Sequence, residues 1–430
     1  MFNFGGYHKV MSRSIVIRYI CLCIMLFLLF LVGLPRTGLM SDLWFWMDWS
    51  AYSFENGLGN VYNGSTDYLP LYHYALWCYG HIQGSKESII ANIHYLKLVT
   101  IIFHFVSGFF LLKWIKKESE SWDNTLYTVL FYLLNFAILY NGFIWGQVDA
   151  ILTCLAFLSI YLAYSKRVTW SLVLLILAIN LKLQAIIFVP LVGLILLPQM
   201  VEQFSTKRLF RWLVVSLLIQ VLILVPFIAA GTVDQMWKVV IRSMGKYPVV
   251  SMNAYNMWDF LLPGDLRDVQ DSTTFLFMSF KHWGMLLFFS LSFVALLPLV
   301  KSVFLSIYSK AKIHISKEGV FLLAALIPLL FFFFNTQMHE RYSHPAYLFL
   351  VGYSIMTRRP GVAILGCLAY FLNMEGVLKF MQLPNYKTLL FNRDFVASLH
   401  LATIGWLFYL LFKERDRLFG VIKEEKDYPM

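Results

Sequence analysis

The chain has 430 residues, of which 59% are hydrophobic and only 14% charged, and apolar runs recur from end to end. Such a composition leaves no soluble domain of useful size. It describes an all-α polytopic membrane protein, because runs near ~20 residues match the bilayer core and backbone groups in lipid must be satisfied within each helix. The net charge of +11 comes from cations in short segments between apolar runs, where positive-inside bias puts them, so it does not point to nucleic acid.

Taken in order, Lys9, Arg13 and Arg18 put the N-terminus in the cytoplasm, ahead of a first apolar run from Ile15 to Leu34. That run exceeds the roughly 7 to 15 residues of a signal-peptide core and lacks a small-x-small site, so a retained helix is expected. It delivers a long acidic and aromatic segment to the outer face, with Asp42, Asp48, Glu55 and Asp67 set among many tryptophans and tyrosines. A segment of this length with so many aromatics is expected to be ordered and functional. Runs at roughly Ile93–Leu112, Asn124–Tyr140 and Asp149–Tyr164 then alternate between faces. Lys166 and Arg167 precede the stretch Thr169–Leu197, and Lys207, Arg208 and Arg211 follow it. With basic clusters at both ends, that stretch is expected to cross an even number of times, breaking at Asn180-Leu181-Lys182-Leu183-Gln184. The run Arg211–Ile228 leads to a second outer segment from Gly231 to Lys281, and five further runs between His282 and Phe412 bring the expected total to about twelve spans. Of five cysteines only Cys78 lies in an outer loop, so no disulfide framework is expected.

This topology gathers four polar groups on one face: Asp42 with Asp48, the turn Asn141 to Asp149 including Gln147, the Lys182/Gln184 junction, and His339-Glu340-Arg341. Charge near the bilayer core costs about 2.5 to 3.5 kcal/mol on insertion scales and persists where it is paired or used. Each group also has a plainer role open to it. Lys182 would be a snorkelling lysine, His339 to Arg341 an ion-pair cluster at a helix end, and Asp149 a helix N-cap, which is the favoured role for it. Asp48 is as readily structural as catalytic. Lys238, Arg242 and Lys246 fall four apart, with Trp237, Val239, Val240 and Met244 facing lipid, as in a helix lying in the interface. His73, His81 and His94 lack a metal-ligand spacing, so no metal or cofactor is expected.

Asp42 with Trp49 and Asp67-Tyr68-Leu69-Pro70-Leu71 resembles the GT-C superfamily of membrane glycosyltransferases that use polyprenyl-phosphate sugars. Within it, the bacterial relatives of the second GPI-anchor mannosyltransferase are the most similar. The likeness extends through Asn141-Gly142, Trp145-Gly146-Gln147-Val148-Asp149, Lys182-Leu183-Gln184, Ser251-Met252-Asn253-Ala254-Tyr255-Asn256-Met257-Trp258 and Met338-His339-Glu340-Arg341-Tyr342. It implies a GT-C-like helical fold with a catalytic module over residues 1–345, outer loops 36–92 and 230–281 carrying interface helices, and C-terminal helices with a basic cytoplasmic tail over 346–430. It implies Asp42 as catalytic base and His339 and Arg341 at the donor phosphate. The relatives' Lys-Pro-Gln is Lys182-Leu183-Gln184 here, without the proline that would kink the helix.

The chemistry that follows moves a hexose, with mannose favoured, from a polyprenyl-phosphate-linked donor to a hydroxyl of a glycan, glycolipid or protein acceptor, with inversion. A base is needed on the hydroxyl and cations on the departing phosphate. Asp48 is the alternative base. Lys182 adds a point charge beside Gln184 at the phosphate, and Glu340 orients Arg341. Tyr342, Gln147, Asp149 and Asn256 are expected to support the site. The expected location is a bacterial inner membrane, alternatively the endoplasmic reticulum, with the site on the periplasmic or lumenal face and membrane lipid as a partner. The rivals are a lipid-linked glycan ligase or polymerase and a glycolipid transporter or flippase. The transporter class usually shows paired broken helices in two related halves, whereas here there is one broken stretch.

Overall fold

The computed structural model describes residues 13–117, 119–243, 245–309 and 313–421. Lys9, Met244 and the tail beyond residue 421 lie outside them. The principal helices are α1 (Arg13–Val32), α2 (Met40–Asn56), α3 (Pro70–Gln83), α4 (Lys97–Ile115), α5 (Trp122–Leu133), α6 (Asp149–Tyr164), α7 (Val168–Leu181), α8 (Val189–Glu202), α9 (Thr206–Ala229) and α10 (Val233–Ser243). They continue as α11 (Phe280–Tyr308), α12 (Lys317–Phe334), α13 (Pro345–Thr357), α14 (Pro360–Leu378) and α15 (Arg393–Lys413). Among the described residues, eight helical stretches are long and apolar enough to cross a membrane, and α5 with Phe136–Trp145 makes a ninth, bent by 48°. The protein is therefore a multi-pass membrane protein.

Three shorter apolar helices, α6, α7 and α13, sit among these. Their brevity is tolerated because protein covers them: α6 and α13 are buried along almost their whole length, so neighbouring helices rather than lipid surround their ends. At the centre, α12 is buried from Gly319 to Leu330. Helix α9 is instead largely exposed, showing Leu213, Leu217, Leu218 and Leu222 on its outside. The helices after residue 345 share one apolar core with those before it, Phe321 and Leu326 packing in the same cluster as Tyr347, Tyr370 and Leu407. The division at 345 is one of sequence and not of packing.

The stretch after Arg167 reverses direction within itself. Ser159 Oγ donates to Ser171 O at 2.9 Å where α6 and α7 run side by side, and Lys182 at the top of α7 bonds Asp149 at the top of α6. Gln199 Nε2 in α8 then donates to Ala163 O at 2.8 Å, back at the bottom of α6. Thr169–Leu197 thus begins and ends at one end of the bundle. The reversal occurs without proline, at Lys182, whose extended backbone (φ −155°, ψ 126°) stops the helix.

The segment after α1 is helical, a hairpin of α2 and α3 closed by Ser50 Oγ donating to Leu76 O at 2.9 Å. Trp46, Trp49, Tyr72, Leu76 and Ile89 pack in a second core shared with Ile151 and Leu152 of α6 and Ala178 of α7, which seats the hairpin on the bundle. The segment between α9 and α11 reaches the bundle through a short parallel pairing of Ser251–Met252 with Met338–His339, which holds His339 and the residues after it in place. At the opposite, basic end, Lys317 donates to Trp114 O, Lys117 to Met356 O, and Arg359 pairs with Glu414 at 2.5 Å.

Candidate active site

Asp42 lies in the first turn of α2, and Leu39 before it offers no side-chain cap. A carboxylate there is favoured by the unsatisfied N–H groups of the helix start. The chain just before α2 is pinned to the turn at 140–147. Leu39 N donates to Trp145 O at 3.2 Å, and a Cβ on Gly38 would collide with that same carbonyl. Lys97, 2% exposed, clamps the junction: its ammonium donates to Pro35 O, Thr37 O and Ile144 O at 3.0, 2.6 and 3.0 Å. Gly146 takes φ +94°, where a side chain would strain the backbone and press on Leu43 and Lys97. Trp46 Nε1 donates to its carbonyl at 3.1 Å.

The consequence is a carboxylate held by one oxygen. Trp145 Nε1 donates to Asp42 Oδ2 at 2.9 Å, Gln147 Nε2 donates to the same atom, and Arg341 Nη2 stands 3.8 Å from it. All three contacts converge on Oδ2, and Oδ1 carries none among the described residues.

Around this carboxylate the other polar groups close ranks. Lys182 Nζ is 2.6 Å from Asp149 Oδ1, with side chains 13% and 1% exposed, and Asn141 Nδ2 donates to Asp149 Oδ2 at 3.0 Å. Neither plainer role holds: Lys182 does not snorkel to the surface, and Asp149 is no N-cap, since its side chain turns to a buried ion pair while Val148 occupies the cap position without a side-chain bond. Glu340 Oε1 accepts from Arg341 Nη1 at 2.6 Å, which orients the guanidinium. Gln184 Nε2 donates to Tyr342 O at 2.5 Å, binding the α7–α8 junction to the 338–342 strand end, and the Lys182 ammonium lies 4.7 Å over the Tyr342 ring. His339 stacks edge-on against Tyr247 at 5.0 Å, with Glu340 Oε2 3.9 Å from its Nδ1.

Burial, reinforced by Arg341, Lys182 and Lys246, holds the His339 imidazole well below its ordinary pKa, so it is neutral near pH 7 and offers a hydrogen bond rather than a charge. Burial works against the Arg341 guanidinium, but Asp42 and Glu340 outweigh it and push its pKa above the usual value. Burial raises the Glu340 carboxyl against the pull of Arg341.

Two expected site residues lie elsewhere. Asp48 is on the exposed side of α2, accepting from Ser65 Oγ at 2.6 Å; six residues along a helix turn it away from Asp42. Asn256 caps the short helix Met257–Leu261, accepting from Trp258 N at 3.2 Å and donating to Phe332 O at 3.1 Å. Conversely, Trp145 and Lys246 belong to the site and were not singled out for it. The Trp145 signal was its place in the Trp145-Gly146-Gln147 turn. Lys246 was read onto the face of an interface helix, but α10 ends at Ser243, and its ammonium instead pairs with Asp67. Among the described residues, no three His, Cys, Asp or Glu side chains stand close enough to share a metal ion. No protein-family model matches this chain, and no curated protein matches it.

Proposed function

We propose that the protein is a polyprenyl-phosphate-sugar-dependent hexosyltransferase of the GT-C type. The observation that carries the reading is the one-sided support of Asp42. Its Oδ2 is fixed by Trp145 and Gln147 while Oδ1 carries no contact among the described residues, the arrangement a general base needs to accept a proton without rotating. The acceptor hydroxyl gives its proton to Oδ1, its oxygen attacks the anomeric carbon from the face opposite the phosphate, and the anomeric C–O bond breaks with the electron pair leaving on the phosphate. Arg341, oriented by Glu340, stabilises the charge that grows there, and His339 contributes a neutral hydrogen bond. A lipid donor explains why such a polar cluster stands at the end of a helical bundle, since the prenyl chain remains among lipid while the head group enters.

In this reading the three short helices also cross, giving twelve spans, with the site on the outer face of a bacterial inner membrane or its lumenal equivalent. Mannose is the favoured sugar. Incubating the purified protein with polyprenyl-phosphate mannose, glucose and galactose and a panel of lipid-linked acceptors is expected to yield transfer with inversion from one donor. Absence of transfer from every pair would overturn the assignment. For the topology, a cysteine replacing the exposed Asp48 is expected to react with an impermeant maleimide only from outside, and one replacing Lys207 only from the cytoplasm; labelling of both from one side would refute the twelve-span arrangement.

A further inference from the structure

The cations of the site differ in how far they are already committed. Lys182 is locked to Asp149 in a pair whose carboxylate is 1% exposed, so drawing it toward a phosphate would strand a buried charge. Arg341 has both terminal nitrogens engaged, yet its Nε is buried without a hydrogen-bond partner among the described residues. It is a charged donor beside Asp42 with hydrogen-bonding capacity to spare. Lys246 is the third cation: its side chain is 36% exposed, and it pairs with Asp67, itself 27% exposed. The ammonium lies over the rings of Tyr247 and Phe45 at 5.0 and 5.7 Å, and Tyr247 touches His339. A cleft of about 460 Å³ opens beside it, lined by Ile241, Arg242, Gly245 and Lys246.

Resting on the glycosyltransferase reading, we infer that Lys246 receives the phosphate of the polyprenyl donor through this cleft, exchanging Asp67 for the lipid phosphate, and that Lys182 keeps a structural pairing. The exchange replaces one partly solvated anion by another, so it sacrifices little, whereas the Lys182 pair has no such freedom. The Asp67–Lys246 bridge joins the two outer segments at the mouth of the site, so its opening admits the head group and the phosphate then holds Lys246 against Arg341 and its unpartnered Nε.

The test uses the full chain in nanodiscs and reads binding of undecaprenyl phosphate, with undecaprenol as the uncharged control. Lys246→Met and Asp67→Asn break the same ion pair, so a purely structural bridge would make them weaken binding alike. Phosphate capture predicts opposite signs: Lys246→Met weakens binding about tenfold or more, and Asp67→Asn, which frees the ammonium, tightens it about two- to fivefold. Lys238→Met, on the exposed side of α10, is expected to match the unaltered chain. Equal affinities for Lys246→Met and the unaltered chain, or parallel losses in the two bridge variants, would overturn the role of Lys246. Displacement of the lipid by equimolar inorganic phosphate would likewise overturn it, since the site would then read a free anion. A failure of the unaltered chain to prefer undecaprenyl phosphate over undecaprenol would instead bring down the glycosyltransferase reading beneath it.

Discussion

The two ends of the bundle handle charge in opposite ways. At the basic end, lysines and arginines reach carbonyls or stand in open pairs, such as Arg358 with Glu120 at 3.6 Å and 81% and 29% exposed. At the site end, Lys182 with Asp149 and Arg341 with Glu340 form close pairs at 2.6 Å, Asp42 stands 3.8 Å from Arg341, and most of these groups are under 10% exposed. Open pairs are screened by water and contribute little, while buried ones bear large desolvation costs and persist only where each charge is answered. The chain concentrates such costs at one end, where Arg341 Nε is also buried without a hydrogen-bond partner among the described residues.

The contrast can be broken most severely at Asp42. Asp42→Asn keeps the shape and the bonds to Oδ2 while removing the base, so transfer is expected to fall by about 10²- to 10⁴-fold with the folded yield unchanged. Activity within tenfold of the unaltered chain would exclude Asp42 as base. Next in size, Lys182→Met leaves Asp149 buried beside only Asn141 and is expected to cost about 3 to 5 kcal/mol of stability, read by unfolding in detergent. Adding Asp149→Asn should restore most of that loss, and an undiminished stability for the single variant would deny the pair its structural role. The smallest effect belongs to the basic end, where Glu120→Gln removes the partner of Arg358 and is expected to change stability by no more than about 1 kcal/mol. A loss there as large as that of Lys182→Met would erase the difference between the two ends.

How much of this was legible varied with the range over which the cause acts. The spans were visible because lipid imposes one local requirement, a sustained apolar run. The reversal at Lys182 was visible because basic clusters flank Thr169–Leu197. The helix expected around Trp237 is present as α10, but the placing of Lys246 on it was misjudged for a local reason: the every-fourth-residue spacing runs on to Lys246, while Gly245 is already a turn. Asp48 was the alternative to Asp42, as readily structural as catalytic, and the helical turn between them leaves Asp48 exposed and Asp42 buried.

By itself, the sequence determined the membrane class, the approximate positions of the long helices and the gathering of Asp42, Gln147, Lys182 and His339 to Arg341 toward one end, since hydropathy and charge bias act along the chain. Only the tertiary structure decided the partners. Trp145 and Asp42 stand 103 residues apart in sequence, and whether an indole, an amide or a guanidinium answers a given carboxylate depends on distances of a few tenths of an ångström set by packing. The same holds for the ammonium of Lys97, which three carbonyls claim, and for Lys246, drawn to Asp67 from a different outer segment. Desolvation makes each of these choices costly to leave unmade, and it arises only when the helices have come together.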